Sequence, residues 1–152
     1  MGSKVSKQLS EPLLNALANG APGLLISIGE GGYPGTAFTW IVAGRRKEVL
    51  FGVDHGSATL ENLEREGRAA IQVILRENLV YLIYGPVRMV KERLQAAPFE
   101  MGAWALAVAA VKDQSWPGVQ VNPFGYRWSG EIRDEMLVMK KAVIEEMRAC
   151  QG

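Results

Sequence analysis

The chain has little of several things, and each shortage narrows its chemistry. Its 152 residues include one cysteine and one histidine. Cys150 has no second cysteine with which to form an internal disulfide, which fits a reducing compartment and leads to the expectation of a cytoplasmic protein. One His and one Cys also argue against a zinc site built from those ligands. Net charge is scarce: 17 basic and 16 acidic residues leave +1 at pH 7. No excess of one sign supports a nucleic-acid partner or an anionic membrane surface. The longest charge-free apolar run, 101–111, is too short to span a bilayer, so no membrane segment is expected. The start, 1–8, is polar with Lys4 and Lys7; it carries no secretory pattern and is expected to be flexible.

What remains is an ordinary globular composition, 48% hydrophobic and 22% charged. The length suits a single domain over 1–152 with a core that needs no staples. No internal repeat, low-complexity stretch or linker divides it.

The hydrophobic pattern alternates between periods. A helix is predicted over 9–18, with Ser10 as its cap, Glu11 and Pro12 in the first turn and Gly20 past its end. Strands are predicted over 23–28, 36–43 and 48–53, joined by the Gly/Pro loop 29–35 and the basic turn 44–47. A helix over 57–66 comes next, and then a strand pair, 69–75 and 79–90. Pro86 beside Gly85 predicts an edge or a bulge in the second of these. Residues 92–111 read as mostly helical with a break at Pro98. The Ala-rich part, 99–111, would be buried in the core or against another subunit. A last strand is expected over 119–129, broken at Asn122-Pro123, and an amphipathic C-terminal helix over 133–150. Met136, Met139, Val143 and Met147 line one side of that helix, a stripe that reads as core or dimer seam rather than as a cofactor box. Most strands are joined by turns too short for a parallel crossover, so the sheet is expected to be antiparallel, able to close into a barrel, with helices outside.

The richest segment is 49–73. An apolar strand ends in Asp54-His55-Gly56-Ser57, a helix follows, and a second apolar strand begins after Gly67. Ser57 can cap that helix, and Glu61 suits the dipole in its first turn. Free N–H groups at a helix start attract anions, phosphate above all. An ordinary strand-to-helix turn accounts for the same residues. Asp54, His55 and Ser57 carry the residue types of a hydrolytic triad, but four neighbouring positions cannot adopt its relay geometry. His55 is a turn residue or a hydrogen-bonding partner for a ligand in that turn. Gly29-x-Gly31-x-x-x-Gly35 has the wrong spacing for a dinucleotide fingerprint and precedes a strand, so it reads as a hairpin loop. Of the tryptophans at 40, 104, 116 and 128, Trp128 stands out because Tyr126, Arg127 and Arg133 accompany it. An aromatic beside an Arg can flank a planar anion; it can equally be core.

The Trp40 strand, the segment 51–63, the strand 69–75 and Gly85-Pro86-Val87-Arg88 together resemble the pyridoxamine 5′-phosphate oxidase-like, FMN-binding split-barrel family. The resemblance covers about 11–90 in order. Its most specific part is Ser57-x-Thr59-x-x-Asn62-Leu63 after a strand, where the family commonly shows Ser-x-Lys-x-x-Asn-Leu. Arg127-Trp128-Ser129-Gly130 with Arg133 is similar to the Phe-Trp-Gln-Gly…Arg stretch of the oxidase. The resemblance implies a mainly β fold with flanking helices: a six-stranded antiparallel split β-barrel that forms a homodimer with its cofactor sites at the interface. It implies Ser57 and Thr59 at the FMN phosphate, with His55 and Asn62 in the same turn and helix. Thr39 and Trp40 would line the isoalloxazine, Val53 and Asp54 would pass close to it, and Trp128 and Arg133 would approach from the partner chain.

Two departures stand out. Thr59 replaces the usual Lys, and the strand 37–42 has no charge where the oxidase is Arg-rich. Each lost charge-assisted phosphate contact is worth about 1.5–3 kcal/mol, roughly ten- to a hundredfold in affinity. Arg45, Arg46 and Lys47 are the nearest replacements in sequence. The expected function is an FMN-dependent oxidoreductase acting on a small-molecule substrate. The alternatives are a non-catalytic haem- or flavin-binding protein on the same scaffold, and a reductase using coenzyme F420.

Overall fold

A computed structural model describes residues 4–150. In chain order the elements are β1 (Val5–Ser6), α1 (Glu11–Leu17), β2 (Ala21–Ile28), β3 (Pro34–Arg45), β4 (Glu48–Asp54), α2 (Ala58–Glu66), β5 (Arg68–Leu75), β6 (Leu79–Lys91), β7 (Met101–Ala107), β8 (Ala110–Asp113) and α3 (Arg133–Arg148). Six strands close into an antiparallel barrel in the order β5-β2-β3-β4-β7-β6, with β6 pairing back to β5. β8 and β1 extend from β6. The fold is the mainly β split barrel with flanking helices that the sequence led us to expect. No helix of the described residues is long and apolar enough to cross a membrane.

Period-two patterning builds the barrel. In β5, Ala69, Ile71, Val73 and Leu75 are buried while their neighbours are not, and β2 alternates in the same way. Their inward residues join Ile41, Phe51, Ile83, Trp104 and Leu106 in one core. α1 adds Leu13 and Leu17 to that core, and its cap is Ser10, whose hydroxyl accepts from Leu13 N. A second core lies outside the barrel wall, where Val143, Ile144 and Met147 of α3 cover Val42, Leu50, Ala103 and Ala105. Met147 and Met139 of the methionine stripe therefore pack on this chain's own barrel.

Two expectations are corrected. Residues 92–111 are not helical: 92–100 run as turns and loop, and 101–111 are β7 and the start of β8. β7 pairs with β4 on one side and β6 on the other, and is buried on both faces. Trp104 and Leu106 face the barrel core, and Ala103 and Ala105 lie under α3. A strand covered on both faces loses its alternation and reads as a continuous apolar run, which is why the Ala-rich stretch looked helical. The second correction is 119–129, which forms no strand. It runs as an extended arm held at separate points, such as Phe124 N–H to the Ile74 carbonyl at 2.9 Å and Val121 N–H to Asn78 Oδ1 at 3.1 Å. Pro123 has no N–H to give a ladder, and the arm's Phe124, Tyr126 and Trp128 meet the barrel through their side chains.

Pro86 falls where β6 changes partner, from β8 up to Tyr84 to β7 from Val87 onward. Gly85 is required there: a Cβ would sit 1.9 Å from the Ala107 carbonyl oxygen. The polar start, expected to be flexible, contributes β1, paired with β8; positions 1–3 lie outside the described residues.

Candidate functional site

β4 ends at Asp54, the chain turns through His55-Gly56, and α2 starts at Ala58. Ser57 holds this corner twice: its hydroxyl donates to the Asp54 carbonyl at 2.7 Å and accepts from Leu60 N–H at 3.1 Å. At the other end Gly67, at φ +67°, closes the helix with a bond to the Leu63 carbonyl.

Against this corner lies a cavity of about 410 Å³, lined by β2, β3, β4, the α2 start, the segment around Phe99 and Met101, and the arm. That volume is in the range of small-molecule sites, roughly 300–1,000 Å³. The walls are mostly aromatic or aliphatic, with Phe38, Trp40, Phe99, Phe124 and Tyr126 among them. The arm closes one side. Phe124 stacks on Phe38 with ring centres 5.2 Å apart, and the Trp40 indole N–H donates to the Tyr126 hydroxyl. Trp128 meets Trp40 and Tyr126 edge-on at 6.3 and 5.3 Å, and Lys140 Nζ lies 5.5 Å from the Tyr126 ring centre. Trp128 Nε1 is buried without a hydrogen-bond partner.

Of the residues expected at a cofactor, Thr39, Trp40, Val53, Asp54, Ser57 and Thr59 line the cavity. The Thr39 hydroxyl is engaged with the backbone, donating to the Gly52 carbonyl at 2.7 Å and accepting from Gly52 N–H at 3.2 Å. His55, Asn62, Trp128 and Arg133 are not on the wall. His55 fastens the segment before β7: its N–H donates to the Glu100 carbonyl, and Nε2 lies 2.6 Å from the Glu92 carbonyl oxygen. Asn62 is buried and ties α2 to β2, donating to Ser27 Oγ at 3.0 Å and accepting from Arg65 at 3.0 Å. Trp128 reaches Trp40 from within the same chain, and Arg133 is exposed at the start of α3. Sequence reasoning missed Phe38, Phe99, Met101 and Phe124, and singled out Tyr126 only as a companion of Trp128. Phe38 was signalled by its place two residues before Trp40, on the same side of the strand. The others come from segments whose structure was misread.

The charge of the cavity is one-sided. Asp54 is the one carboxylate among the described lining residues, which include no Lys, Arg or His. The turn cations that were to compensate lie at the other end of the β3–β4 hairpin. Glu48 is six residues from Asp54 along β4, about 20 Å of extended strand. Arg45 is spent there on Glu48 at 2.9 Å, and Arg88 holds the second Glu48 oxygen at 2.9 Å. The lining therefore suits a planar, largely apolar ring, and it offers a phosphate no cation.

A second network fixes the wall from behind. Glu146 of α3 accepts from Gln95 N–H and Ala96 N–H, both at 2.7 Å, and pairs with Lys91 at 2.8 Å. Burial pushes this carboxyl up, but the Lys91 hydrogen bond and the two N–H donors outweigh it and hold its pKa below the ordinary value. The clamp joins α3 to the segment that delivers Phe99 and Met101 to the cavity.

Neither a family model nor a curated protein matches the sequence. Solved structures do. A candidate pyridoxamine 5′-phosphate oxidase of Lactobacillus delbrueckii superposes with a TM-score of 0.59 at 13% identity, over 73% of this chain and 98% of that one. An F420 reductase gives 0.58 at 16% identity, over 68% and 98%. HupZ of Group A Streptococcus gives 0.57 at 13% identity, over 75% and 99%. At such identities the likeness is one of fold.

Proposed function

From the split-barrel fold shared with these pyridoxamine 5′-phosphate oxidase-like proteins, we propose that the chain binds a flavin-type cofactor and acts as an oxidoreductase on a small molecule. The observation that carries this reading is the aromatic cavity of about 410 Å³ against the start of α2. A flavin, when bound, supplies the electron chemistry. The chain's own residues bind and orient it. Phe38, Trp40 and Phe124 offer flat apolar surface to a ring. Thr39 keeps the Gly52 backbone fixed at the floor, and the arm excludes water from one side.

FMN is the first cofactor to test and F420 the second, since their ring systems ask for the same walls. Haem is less well served, because the Nε2 of the single histidine is already 2.6 Å from the Glu92 carbonyl oxygen. The same reading carries a homodimer with the cavity mouth at the interface. Phe38 and Phe99, 77% and 44% exposed beside the cavity, support it, because a second copy would cover them. A reducing cytoplasm suits the lone Cys150.

The test is the visible absorption of purified protein and its turnover after reconstitution with FMN or F420. Bound cofactor with turnover of a reduced nicotinamide or a small electron acceptor is expected. Protein with neither cofactor nor cofactor-dependent turnover refutes the proposal.

A further inference from the structure

We infer that the cavity selects its ligand by the ring and not by a phosphate, so that a neutral flavin such as riboflavin binds as tightly as FMN. The inference rests on the flavin reading above and names what that site recognises. Three observations carry it. First, the described lining residues include no cation and one carboxylate, Asp54, placed where β4 meets α2. Second, Thr59 is the one hydroxyl at the helix start open to a phosphate, and a neutral donor, because Ser57 Oγ gives its proton to the Asp54 carbonyl at 2.7 Å and accepts from Leu60 N–H. What Ser57 keeps is a lone pair, which faces an anion unfavourably. Third, α2 places no cation near its start. Glu61 is in the first turn, and Arg65 is in the last turn, where it bonds the Ile28 carbonyl, Asn62 and Glu66. The helix dipole alone is a modest attraction of the same order as the repulsion from one nearby carboxylate. The apolar walls act on the ring whether or not a phosphate is attached.

The experiment is a paired titration of the purified protein with FMN and with riboflavin, followed by quenching of flavin fluorescence, at low and high salt. The two dissociation constants are expected to agree within about threefold, and FMN is not expected to weaken as salt rises. Thr59→Lys places a cation on the wall at the helix start and is expected to tighten FMN by about tenfold relative to riboflavin. Asp54→Asn, at an exposed position, is expected to favour FMN in the same direction by a smaller factor. Riboflavin binding tenfold or more weaker than FMN to the wild type overturns the inference and leaves the flavin reading standing. Binding of neither flavin to the wild type refutes the flavin reading and the inference with it.

Discussion

Removing the Glu146 carboxylate tests how α3 supports the cavity. In Glu146→Ala, Gln95 N–H and Ala96 N–H each lose an ionised acceptor at 2.7 Å. A hydrogen bond to a charged group is worth about 1.5–3 kcal/mol. Gln95 is exposed and Ala96 half-buried, so water recovers part of that, and the pair is worth about 2–4 kcal/mol in all. At a urea slope of about 2 kcal/mol/M the unfolding midpoint should fall by about 1–2 M. Glu146→Gln keeps one acceptor oxygen without charge and should lie between the two. The sign with pH follows from the depressed folded pKa. The stabilisation is complete above the unfolded value near 4.5 and disappears as pH falls through the lower folded value. The gap between wild type and Glu146→Gln should therefore shrink in acid. The clamped segment leads to Phe99 and Met101, so ligand affinity should weaken in the variant as well. An unfolding midpoint equal to wild type at pH 7 would refute the reasoning.

Glu48 is buried between two arginines, and burial pushes its carboxyl up while Arg45 and Arg88 more than offset it and hold it below the ordinary 4.5. Glu48→Gln should cost about 1–3 kcal/mol at pH 7 in urea unfolding, less than a fully buried pair because both arginines are half exposed, and the loss should fade below about pH 4.5. Gly85→Ala drives a Cβ to 1.9 Å from the Ala107 carbonyl oxygen, so the strand crossing must open; soluble yield and far-ultraviolet dichroism should show failed folding, and a native spectrum would contradict the crossing. Ser57→Ala removes the α2 cap and should lower the melting temperature by about 2–4 °C, while Ser57→Gly, which caps nearly as well, should cost a few tenths of a kcal/mol.

Local rules were legible in the sequence wherever one face of an element meets water. Ser10 and Ser57 cap helices as their positions indicate, β5 keeps its alternation, and Pro86 marks the change of partner in β6. β7 was not legible because its outer face lies under α3, an element more than twenty residues away. The arm was misread because Phe124, Tyr126 and Trp128 recur at the spacing of a strand. Those rings meet side chains of β3 instead, Phe124 on Phe38 and Trp128 on Trp40, and no backbone ladder forms. The cavity was half legible for the same reason. Its β3–β4–α2 wall is contiguous in sequence, whereas Phe99 and Phe124 arrive from the two misread segments. His55 and Asn62 drew notice as polar residues in a promising turn, and each has a partner within the fold.

The most direct measurement is a fluorescence titration of FMN into the wild type and into Trp40→Leu, which keeps apolar bulk and removes the indole. Saturable quenching at micromolar concentration or tighter is expected, weakened about tenfold by the loss of the stacked ring. Equal affinity in the two folded proteins, or no saturable quenching at all, would contradict the claim that this cavity holds the ring.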